Sequence, residues 1–372
     1  MILAKNQSKV RYAVVGLGWI AQEDVLPAFA QAENSQLVAL ISGDQIKREE
    51  LGKHYKVKTY TYEEYDDCLK SGEVDAVYIA LPNHLHREYT IGAADAGIHV
   101  LCEKPMAVTE QECEEMTQAC LKNKVKLMIA YRLHFDKANM MAVEIIKSGK
   151  IGTPRIFNSV FTQQVVEGNV RVEPISTGGG TVYDMGVYCI NAARYLFQDE
   201  PTEVFAFSAS NGEKRFEEID EMTSAILRFP GNRLATFTSS FGTAPVSTFQ
   251  VVGTKGDVRM DSAYSYLDDI ELQQTFESDT QKQTFPACDQ FAAEIIYFSD
   301  CLLNDKDPEP SGEEGLADVR IVRAINQSAQ TGKPVQLEDF KRQNRPTLQQ
   351  VIQIPASEQP KLIHAADPSG KS

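Results

Sequence analysis

The sequence predicts an α/β fold of two domains: a doubly wound parallel sheet, followed by an α+β domain with a large, mainly antiparallel open sheet. Three observations predict it. Strands alternate with helices over residues 11–130, a glycine-rich turn follows the first strand, and strands after about residue 150 follow one another without intervening helices. We expect the first domain to span residues 1–132, the second 133–340, and a polar surface arm 341–372.

The first half of the chain alternates short apolar strands with helices. The predicted strands are RYAVVGLG, SQLVALIS, VDAVYIALP, HVLCEKP and VKLMIAY. The predicted helices are EDVLPAFAQA, KREELGKHY, EYTIGAADAGI and TEQECEEMTQACLKNK. The last helix begins with a capping box, in which Thr109 is the N-cap and Glu112 lies three residues later. This alternation is typical of a parallel sheet with helices on both faces.

The second half of the chain is rich in strands. The predicted strands are PRIFNSVFTQQV, TEVFAFSAS, EMTSAILRF, RLATFTSSF, STFQVVGT and GDVRMDS. A helix, TVYDMGVYCINAARYLF, precedes most of them, and the helices QFAAEIIYFSDCLL and GEEGLADVRIVRAINQSAQ follow. Closely spaced strands of this kind predict one large, mainly antiparallel sheet.

The composition argues against several classes of protein. The 372 residues carry 37 Lys and Arg against 52 Asp and Glu, and this net charge of −15 argues against a nucleic-acid or anionic-membrane surface. Seven cysteines occur without a Cys-x-x-Cys pair, which indicates neither a zinc site nor a redox dithiol and fits a reducing compartment. With no signal-peptide core before Val10 and no apolar run of about 18 residues, we expect a cytoplasmic protein.

The glycine-rich turn is Gly16-Leu17-Gly18-Trp19-Ile20-Ala21, a G-x-G-x-x-A between a strand and a helix. The first glycine permits the tight turn, the second lets the backbone approach a pyrophosphate, and Ala21 allows close packing of helix and strand. The helix N-terminus supplies N–H groups for the anion. In this context the first domain is expected to be a Rossmann dinucleotide-binding domain.

The residues at the end of the second strand favour NADP over NAD. An Asp or Glu at this place would accept hydrogen bonds from the ribose 2′-hydroxyl of NAD. Here the strand ends at Ser42 and Gly43, and Lys47 and Arg48 follow, so that a hydroxyl and two cations are available to a 2′-phosphate. Asp44 is the main argument against this preference, and a solvated helix face is the alternative interpretation of the two cations.

Two polar clusters follow the third and fourth strands, at the sheet edge where ligands of such folds bind. They are ALPNHLHREY (Ala80–Tyr89) and Glu103-Lys104-Pro105. Arg132 and His134 follow the next strand, with a salt-bridged loop as their alternative interpretation. The two histidines of the first cluster lack a third ligand at zinc spacing, so no metal site is predicted.

Together, the glycine loop, LPNHLH and EKP resemble in order and spacing the family named after glucose–fructose oxidoreductase and inositol dehydrogenase. The resemblance covers nearly the whole chain. It implies a nicotinamide-dependent oxidoreductase of two domains, whose open sheet often forms a subunit interface.

In most members of this family the second domain carries the motif Asp-x-Gly-x-His-x-x-Asp. This chain has Asp184-Met185-Gly186-Val187-Tyr188-Cys189-Ile190-Asn191, in which Tyr replaces the catalytic His. This variant, with ISGDQIK, AYRLHFD and SGEEGLADVR, is similar to the subgroup of glucose–fructose and aldose–aldose oxidoreductases. The resemblance implies that Ser42 and Lys47 face the 2′-phosphate of NADP.

Asp184, Tyr188 and Asn191 fall at i, i+4 and i+7, so one face of the predicted helix presents all three. Alcohol oxidation needs a base for the hydroxyl proton, and we expect Tyr188 to transfer it. Because the reference pKa of Tyr is about 10, Lys104 is expected to assist, and to orient the substrate hydroxyl and stabilise oxyanion charge. Asp184 is expected to orient the substrate or Lys104. The alternatives are a packed aromatic for Tyr188 and a helix cap for Asp184.

The expected site has three groups of residues. The catalytic group is Lys104, Tyr188 and Asp184, and Arg132 joins these three in the substrate-binding group. The cofactor-binding group follows the strands of the first domain: Gly16, Leu17, Gly18, Trp19, Ile20, Ser42, Gly43, Lys47, Tyr60, Ala80, Leu81, Pro82, Asn83, His86, Glu103, Lys104 and Arg132.

We expect an NADP-dependent sugar oxidoreductase that oxidises an aldose at C1 to its lactone and reduces a second sugar to a polyol with tightly held NADP(H). The alternatives are an ordinary NADP-dependent sugar, anhydro-sugar or dihydrodiol dehydrogenase that releases its cofactor, and an inactive NADP-sensing regulator. No nucleic-acid or membrane partner is expected. The uncovered sheet face predicts a monomer or a homodimer through that sheet.

Overall fold

Six parallel strands form the first sheet in the computed structural model, which describes residues 9–342 and 344–370. The strands are β1 (Val10–Val15), β2 (Ser35–Ile41), β3 (Lys58–Tyr60), β4 (Ala76–Ile79), β5 (His99–Glu103) and β6 (Leu127–Ala130). Their order is β3-β2-β1-β4-β5-β6. The order reverses beside β1, and this switch point is where doubly wound sheets bind ligands.

Helices connect these strands and cover the sheet. They are a π-helical turn (Ala21–Val25) continued by α1 (Leu26–Ala28), then α2 (Gln45–Tyr55), α3 (Tyr65–Lys70), α4 (His86–Asp95) and α5 (Glu110–Asn123). The predicted capping box is present at the start of α5, where Glu112 N donates to Thr109 Oγ1 and Thr109 N donates to Glu112 Oε2. Short 3₁₀ turns follow β4 (Asn83–Leu85) and β6 (Arg132–Phe135), and α6 (Lys137–Lys147) leads into the second domain.

Nine strands form the second sheet. They are β7 (Pro154–Gln164), β8 (Glu203–Ala209), β9 (Met222–Phe229), β10 (Arg233–Ser240), β11 (Gly242–Gly253), β12 (Gly256–Asp261), β13 (Ile270–Phe276), β14 (Asp279–Phe285) and β15 (Val335–Gln336). The order is β14-β13-β12-β11-β7-β10-β9-β8-β15, and all neighbours are antiparallel except β7 and β10. The predicted fold class, a Rossmann domain followed by a large, mainly antiparallel sheet, is confirmed.

One face of this second sheet is covered by helices. α6, α7 (Val187–Phe197) and α9 (Gly312–Thr331) pack against its inward-facing side chains, among them Leu227 and Phe249. A π-helical turn (Val182–Gly186) and two 3₁₀ turns (Val170–Val172 and Ile175–Thr177) lead into α7. The opposite face exposes large apolar side chains: Ile156, Val160, Phe207, Ile226 and Leu234.

Helix α8 (Gln290–Leu303) returns to the first domain, although it follows the second sheet in the chain. Its apolar side chains, including Phe291, Ile295 and Phe298, share a core with β1, β2 and β6. Ser299 on the same helix lies 2.8 Å from the hydroxyl of Tyr12 on β1. The chain therefore passes from the first domain to the second and then returns to the first.

Four strands of the two sheets were absent from the sequence prediction: β3, β13, β14 and β15. Strand β3 has only three residues, and the β13–β14 hairpin has the polar sequences IELQQTF and DTQKQTF. Strand β14 is exposed along six of its seven residues. Hydrophobic periodicity carries no signal for such an edge strand, because neither of its faces is buried.

The C-terminal arm lies back along the first domain. It contains a 3₁₀ turn (Leu348–Gln350), after which Ile352, Ile354 and Ile363 pack partly against the core shared by β1 and α8. Among the described residues, no helix is long and apolar enough to cross a membrane.

Candidate active site

The carboxyl ends of the first sheet's strands open into a cleft of about 730 Å³ between the two domains. The loops after β1, β2, β4, β5 and β6 form one wall. The other wall comes from β7, the loop after it and the π-helical turn before α7. Parallel strands all end at the same sheet edge, which is why residues far apart in sequence meet here.

The glycine loop fits a dinucleotide. Gly16 has a φ of +91°, and a Cβ at this position would lie 2.5 Å from the carbonyl oxygen of Ala80. Only glycine is therefore compatible with this turn. A Cβ at Gly18 would meet nothing within 4 Å, so the cleft is open in front of that backbone. A pyrophosphate is able to approach the loop at Gly18, as the G-x-G-x-x-A pattern predicts.

Ser42 and Lys47, which follow β2, and Tyr62, which follows β3, line the cleft. Burial lowers the pKa of Lys47, and an ammonium group that has lost part of its hydration gains from a bound anion. Asp44 caps α2, because its Oδ1 accepts a hydrogen bond from Lys47 N at 3.0 Å. Arg48, in contrast, points back to the strand end and donates to the carbonyl oxygen of Ser42 at 2.6 Å.

At the other end of the cleft Lys104 meets Asp184. Lys104 Nζ lies 3.3 Å from Asp184 Oδ1 and 3.1 Å from the carbonyl oxygen of the same residue. Arg171 Nε donates to Asp184 Oδ2 at 2.8 Å. Asp184 thus joins two cations, one from each domain, and fixes the position of the lysine ammonium.

These charges set the pKa values of the group. Burial by itself would raise the pKa of Asp184, but the positive charges of Arg171 and Lys104 outweigh burial and lower it. Burial would likewise lower the pKa of Lys104, but the neighbouring Tyr188, Asp184 and Glu103 raise it. Lys104 is therefore a permanent cation and Asp184 a permanent anion near neutral pH.

Tyr188 stands between two cations. Lys104 Nζ lies 4.6 Å from the centre of its ring, and the Arg132 guanidinium carbon lies 5.1 Å from it. Arg132 is buried and is held by the carbonyl oxygen of Tyr264 at 2.7 Å and by Gln290 Oε1. Negative charge that develops next to this phenol is stabilised by both cations.

Most residues expected at the site line the cleft: Gly16, Leu17, Gly18, Trp19, Ile20, Ser42, Lys47, Ala80, Leu81, Pro82, Asn83, Glu103, Lys104, Arg132, Asp184 and Tyr188. Three expected cofactor-binding residues do not. His86 is fully buried, and its ring nitrogens lie 2.8 Å from the Leu81 carbonyl oxygen and 3.0 Å from that of Pro105. Both ring nitrogens of His86 face backbone carbonyl oxygens, so this side chain supports the loop and is not available to a ligand.

Gly43 and Tyr60 are the other two expected residues that do not line the cleft. Tyr62, two residues beyond the end of β3, lines the cleft where Tyr60 was expected. The ring of Tyr62 lies against Gly43, 3.3 Å from the place a Cβ would occupy. The choice between the two tyrosines depends on where the short strand β3 ends, which periodicity does not define.

Of the three residues predicted on one helix face, Asp184 and Tyr188 line the cleft, whereas Asn191 lines only a small cavity that it shares with Lys104 and Tyr188. Asn191 is buried beneath the cleft, accepts from His134 at 2.8 Å, and donates to Glu314 and Asp318. The π-helical turn ends at Gly186, so Tyr188 and Asn191 lie three residues apart on the regular helix α7 and share one face, with Asn191 buried. Only the first two side chains reach the cleft.

Several residues of the cleft were absent from the sequence prediction: Tyr62, Phe161, Gln163, Arg171, Tyr266, His364 and Asp367. Arg171 lies in a loop without periodicity, and His364 lies in the C-terminal arm. No local motif marks either of them. Among the described residues, no group of three or more His, Cys, Asp or Glu side chains has an arrangement that would hold a metal ion.

The chain matches two models of one protein family. Residues 10–131 match an oxidoreductase family with an NAD-binding Rossmann fold, and residues 140–259 match the GFO/IDH/MocA C-terminal domain. A D-xylose 1-dehydrogenase [NADP(+)] from Haloarcula marismortui is 34% identical over 340 residues, which cover 90% of this chain and 94% of the relative.

Solved structures are similar over the same extent. An aldose–aldose oxidoreductase from Caulobacter crescentus, complexed with glycerol, is 35% identical with a TM-score of 0.84, covering 88% of this chain and 100% of that one. A 3-ketoreductase from Actinomadura kijaniata has a TM-score of 0.79 at 24% identity, covering 86% and 98% of the two chains, and at this identity supports the fold alone.

Proposed function

This chain belongs to the GFO/IDH/MocA family of oxidoreductases, and from this premise we propose that it oxidises an aldose at C1 to the lactone and reduces a second sugar to a polyol with one tightly held NADP(H). The enzyme is an NADP-dependent oxidoreductase of sugars. The paired use of two sugars and the retention of the cofactor are the proposal.

The observation that carries the proposed chemistry is the placement of Lys104 and Arg132 beside Tyr188 at the base of the cleft. When NADP is bound, it supplies the acceptor or donor of hydride. The glycine loop would hold its pyrophosphate, and Ser42 and Lys47 would hold the 2′-phosphate.

Residues of the chain itself transfer the proton. We assign to Tyr188 the removal of the proton from the sugar hydroxyl during oxidation and its return during reduction. Lys104 donates a hydrogen bond to the reacting sugar oxygen and stabilises its negative charge. Asp184 holds Lys104 in place, since its carboxylate lies 3.3 Å from Nζ and is anchored on the other side by Arg171.

Two observations support the use of paired sugars. Tyr188 stands where most family members have His, and the aldose–aldose oxidoreductase from Caulobacter crescentus is similar over 88% of this chain. A cleft that accepts one aldose for oxidation is also able to accept a second for reduction, because the same proton-transfer group serves both directions.

The first experiment is an absorbance spectrum of the purified protein before and after addition of glucose without added cofactor. A new reduced-nicotinamide band in the protein fraction supports retained NADP, and its loss on addition of a second sugar completes the cycle. A requirement for one equivalent of free NADP in every turnover with mixed sugars would contradict the proposal.

An ordinary dehydrogenase that releases its cofactor is the second candidate. The D-xylose 1-dehydrogenase [NADP(+)] relative, at 34% identity, is the observation that favours it. Simple steady-state kinetics in free NADP, with a protein purified free of nucleotide, would support it. An inactive regulator is not retained, because the relatives are enzymes and Lys104, Asp184 and Tyr188 are present here.

A further inference from the structure

The C-terminal segment 359–370 crosses the mouth of the cleft. At one end, the buried side chain of Gln22 exchanges two hydrogen bonds with the backbone of Ile363, at 2.9 Å to its carbonyl oxygen and 2.7 Å from its N–H. At the other end, Val166 N in the loop after β7 donates to the carbonyl oxygen of Pro368 at 3.0 Å. The segment is thus anchored to both walls.

Within this segment, His364 faces Asp44 across the edge of the cleft. His364 Nδ1 lies 3.2 Å from Asp44 Oδ2, while Asp44 Oδ1 is occupied by the cap of α2. His364 also lines the cleft together with Ser42 and Lys47. The contact joins two residues that are 320 positions apart in the chain.

The negative charge of Asp44 is unfavourable for the binding of NADP. It is the N-cap of α2, three residues after the end of β2 and between Ser42 and Lys47 in the chain, so its negative charge repels a 2′-phosphate held by those two residues. The hydrogen bond from Lys47 N, together with His364, lowers its pKa, so the carboxyl is ionised at neutral pH. An anion in this place needs a partner if the neighbouring pocket is to bind a phosphate.

We propose that His364 is a cofactor-specificity residue, which offsets the charge of Asp44 and so lets the pocket of Ser42 and Lys47 prefer NADP to NAD. As an imidazolium, it cancels the carboxylate charge. As a neutral imidazole with its proton on Nδ1, it still donates a hydrogen bond to Asp44 Oδ2. The inference rests on the location of the 2′-phosphate given under the proposed function.

The surrounding charges do not replace this contact. Arg48 donates to the carbonyl oxygen of Ser42, and Lys47 is the cation assigned to the phosphate itself. Glu23, on the turn after the glycine loop, and Asp367, which lines the cleft, are acidic residues close to one another and supply no positive charge. His364 is therefore the side chain placed to neutralise Asp44.

Trp19 is the only tryptophan of the chain and lines the cleft, so its fluorescence reports nucleotide binding without any turnover. Dissociation constants for NADP and NAD are measured for the parent protein, stripped of nucleotide, and for His364→Gln, Asp44→Asn and the double variant. His54→Gln, an exposed histidine on α2, is the matched control.

We expect His364→Gln to weaken NADP binding about three- to tenfold, a modest effect because both partners are partly exposed, and to leave NAD binding within about twofold. In the Asp44→Asn background the same substitution should have no effect. Equal losses for NADP and NAD, or a loss that persists without Asp44, would overturn the inference.

The variant Lys47→Ala tests separately whether the 2′-phosphate binds at Ser42 and Lys47, which is the assumption on which the role of His364 rests. If Lys47→Ala weakens NADP selectively and His364→Gln does not, the 2′-phosphate is placed correctly and the role of His364 is wrong. If Lys47→Ala leaves NADP affinity unchanged, the location itself is wrong and the inference fails with it. Selective losses in both variants support both statements.

Discussion

At the scale of single residues, the reactive end of the cleft depends on charges that arrive from different parts of the chain. Lys104 follows β5, Arg132 follows β6, and Tyr188 and Asp184 come from the start of α7 and the turn before it. Sequence motifs identified all four. Arg171, which holds Asp184 at 2.8 Å, lies in a loop and carries no motif.

Tyr188→Phe tests the assignment of proton transfer. The ring and its cation contacts are kept, and only the hydroxyl is lost. We expect kcat to fall by about 10²–10⁴ because the proton-transfer group is removed. NADP affinity, measured by Trp19 fluorescence, should stay within about twofold. A variant that keeps at least half of its kcat would show that another group carries the proton.

Arg171→Gln tests the anchoring of Asp184. Arg171 is the largest favourable charge that lowers the pKa of this carboxyl, so its removal should raise that pKa. If ionised Asp184 is required, the acid limb of the pH profile of kcat/KM should move to higher pH. Arg155→Gln, which alters an exposed side chain near the start of β7, is the control. Superimposable profiles for Arg171→Gln and the parent would contradict the role.

At the scale of secondary structure elements, helix α8 brings a second carboxyl beside the active site. The Tyr78 hydroxyl on β4 lies 2.7 Å from Glu103 Oε1 and 2.8 Å from Glu294 Oε1 on α8. A phenol has a single proton to donate, so one of the two carboxyls must itself be protonated. Burial and the charge of Glu103 raise the pKa of Glu294 well above its usual value, and Glu294 is therefore the neutral partner.

Glu294→Gln tests this protonation through stability. A carboxyl whose pKa is raised in the folded state contributes stability below its unfolded pKa, and this contribution is lost as pH rises toward the folded value. The free energy of unfolding of the parent should therefore fall, relative to Glu294→Gln, by about 1–3 kcal/mol between acidic and alkaline pH. Urea unfolding at a series of pH values measures this difference.

Glu114→Gln, an exposed carboxyl on α5, is the control for that series and should follow the parent at every pH. If the Glu294→Gln and parent stabilities change in parallel, Glu294 is ionised in the folded protein.

Helix α8 also shows which part of its structure hydrophobic periodicity predicts and which part it does not. The sequence predicted α8 as a helix, but its packing on the first sheet, in place of the second, follows only from tertiary contacts.

At the scale of the whole molecule, the face of the second sheet that no helix covers exposes large apolar side chains to solvent. Phe207 is 67% exposed and Ile226 is 46% exposed, on neighbouring strands β8 and β9. Contiguous apolar side chains of this kind mark an interaction surface. Together with Ile156, Val160 and Leu234, they lead us to propose the homodimer through this face, one of the two states, monomer or homodimer, that the sequence predicts.

The double variant Phe207→Lys/Ile226→Lys should convert this dimer to a monomer, because burying two unpaired cations in each copy outweighs the apolar contact. Size-exclusion chromatography with light scattering measures the mass. Leu121→Lys, which alters an apolar side chain that is 71% exposed on α5, should leave the dimer intact. A parent protein that is a monomer or a compact tetramer would refute the proposal.

The sequence by itself determined the strand–loop–helix at Gly16, the parallel sheet, and the residues that follow each strand, because local periodicity and turn chemistry encode them. It also located Lys104, Asp184 and Tyr188 through motifs. Only the tertiary structure decided that Arg171 anchors Asp184, that Asn191 lies below the cleft and that Tyr62 replaces Tyr60. It also decided that the C-terminal arm brings His364 to Asp44. These contacts join segments distant in the chain, and no local pattern specifies which distant side chain will complete a site.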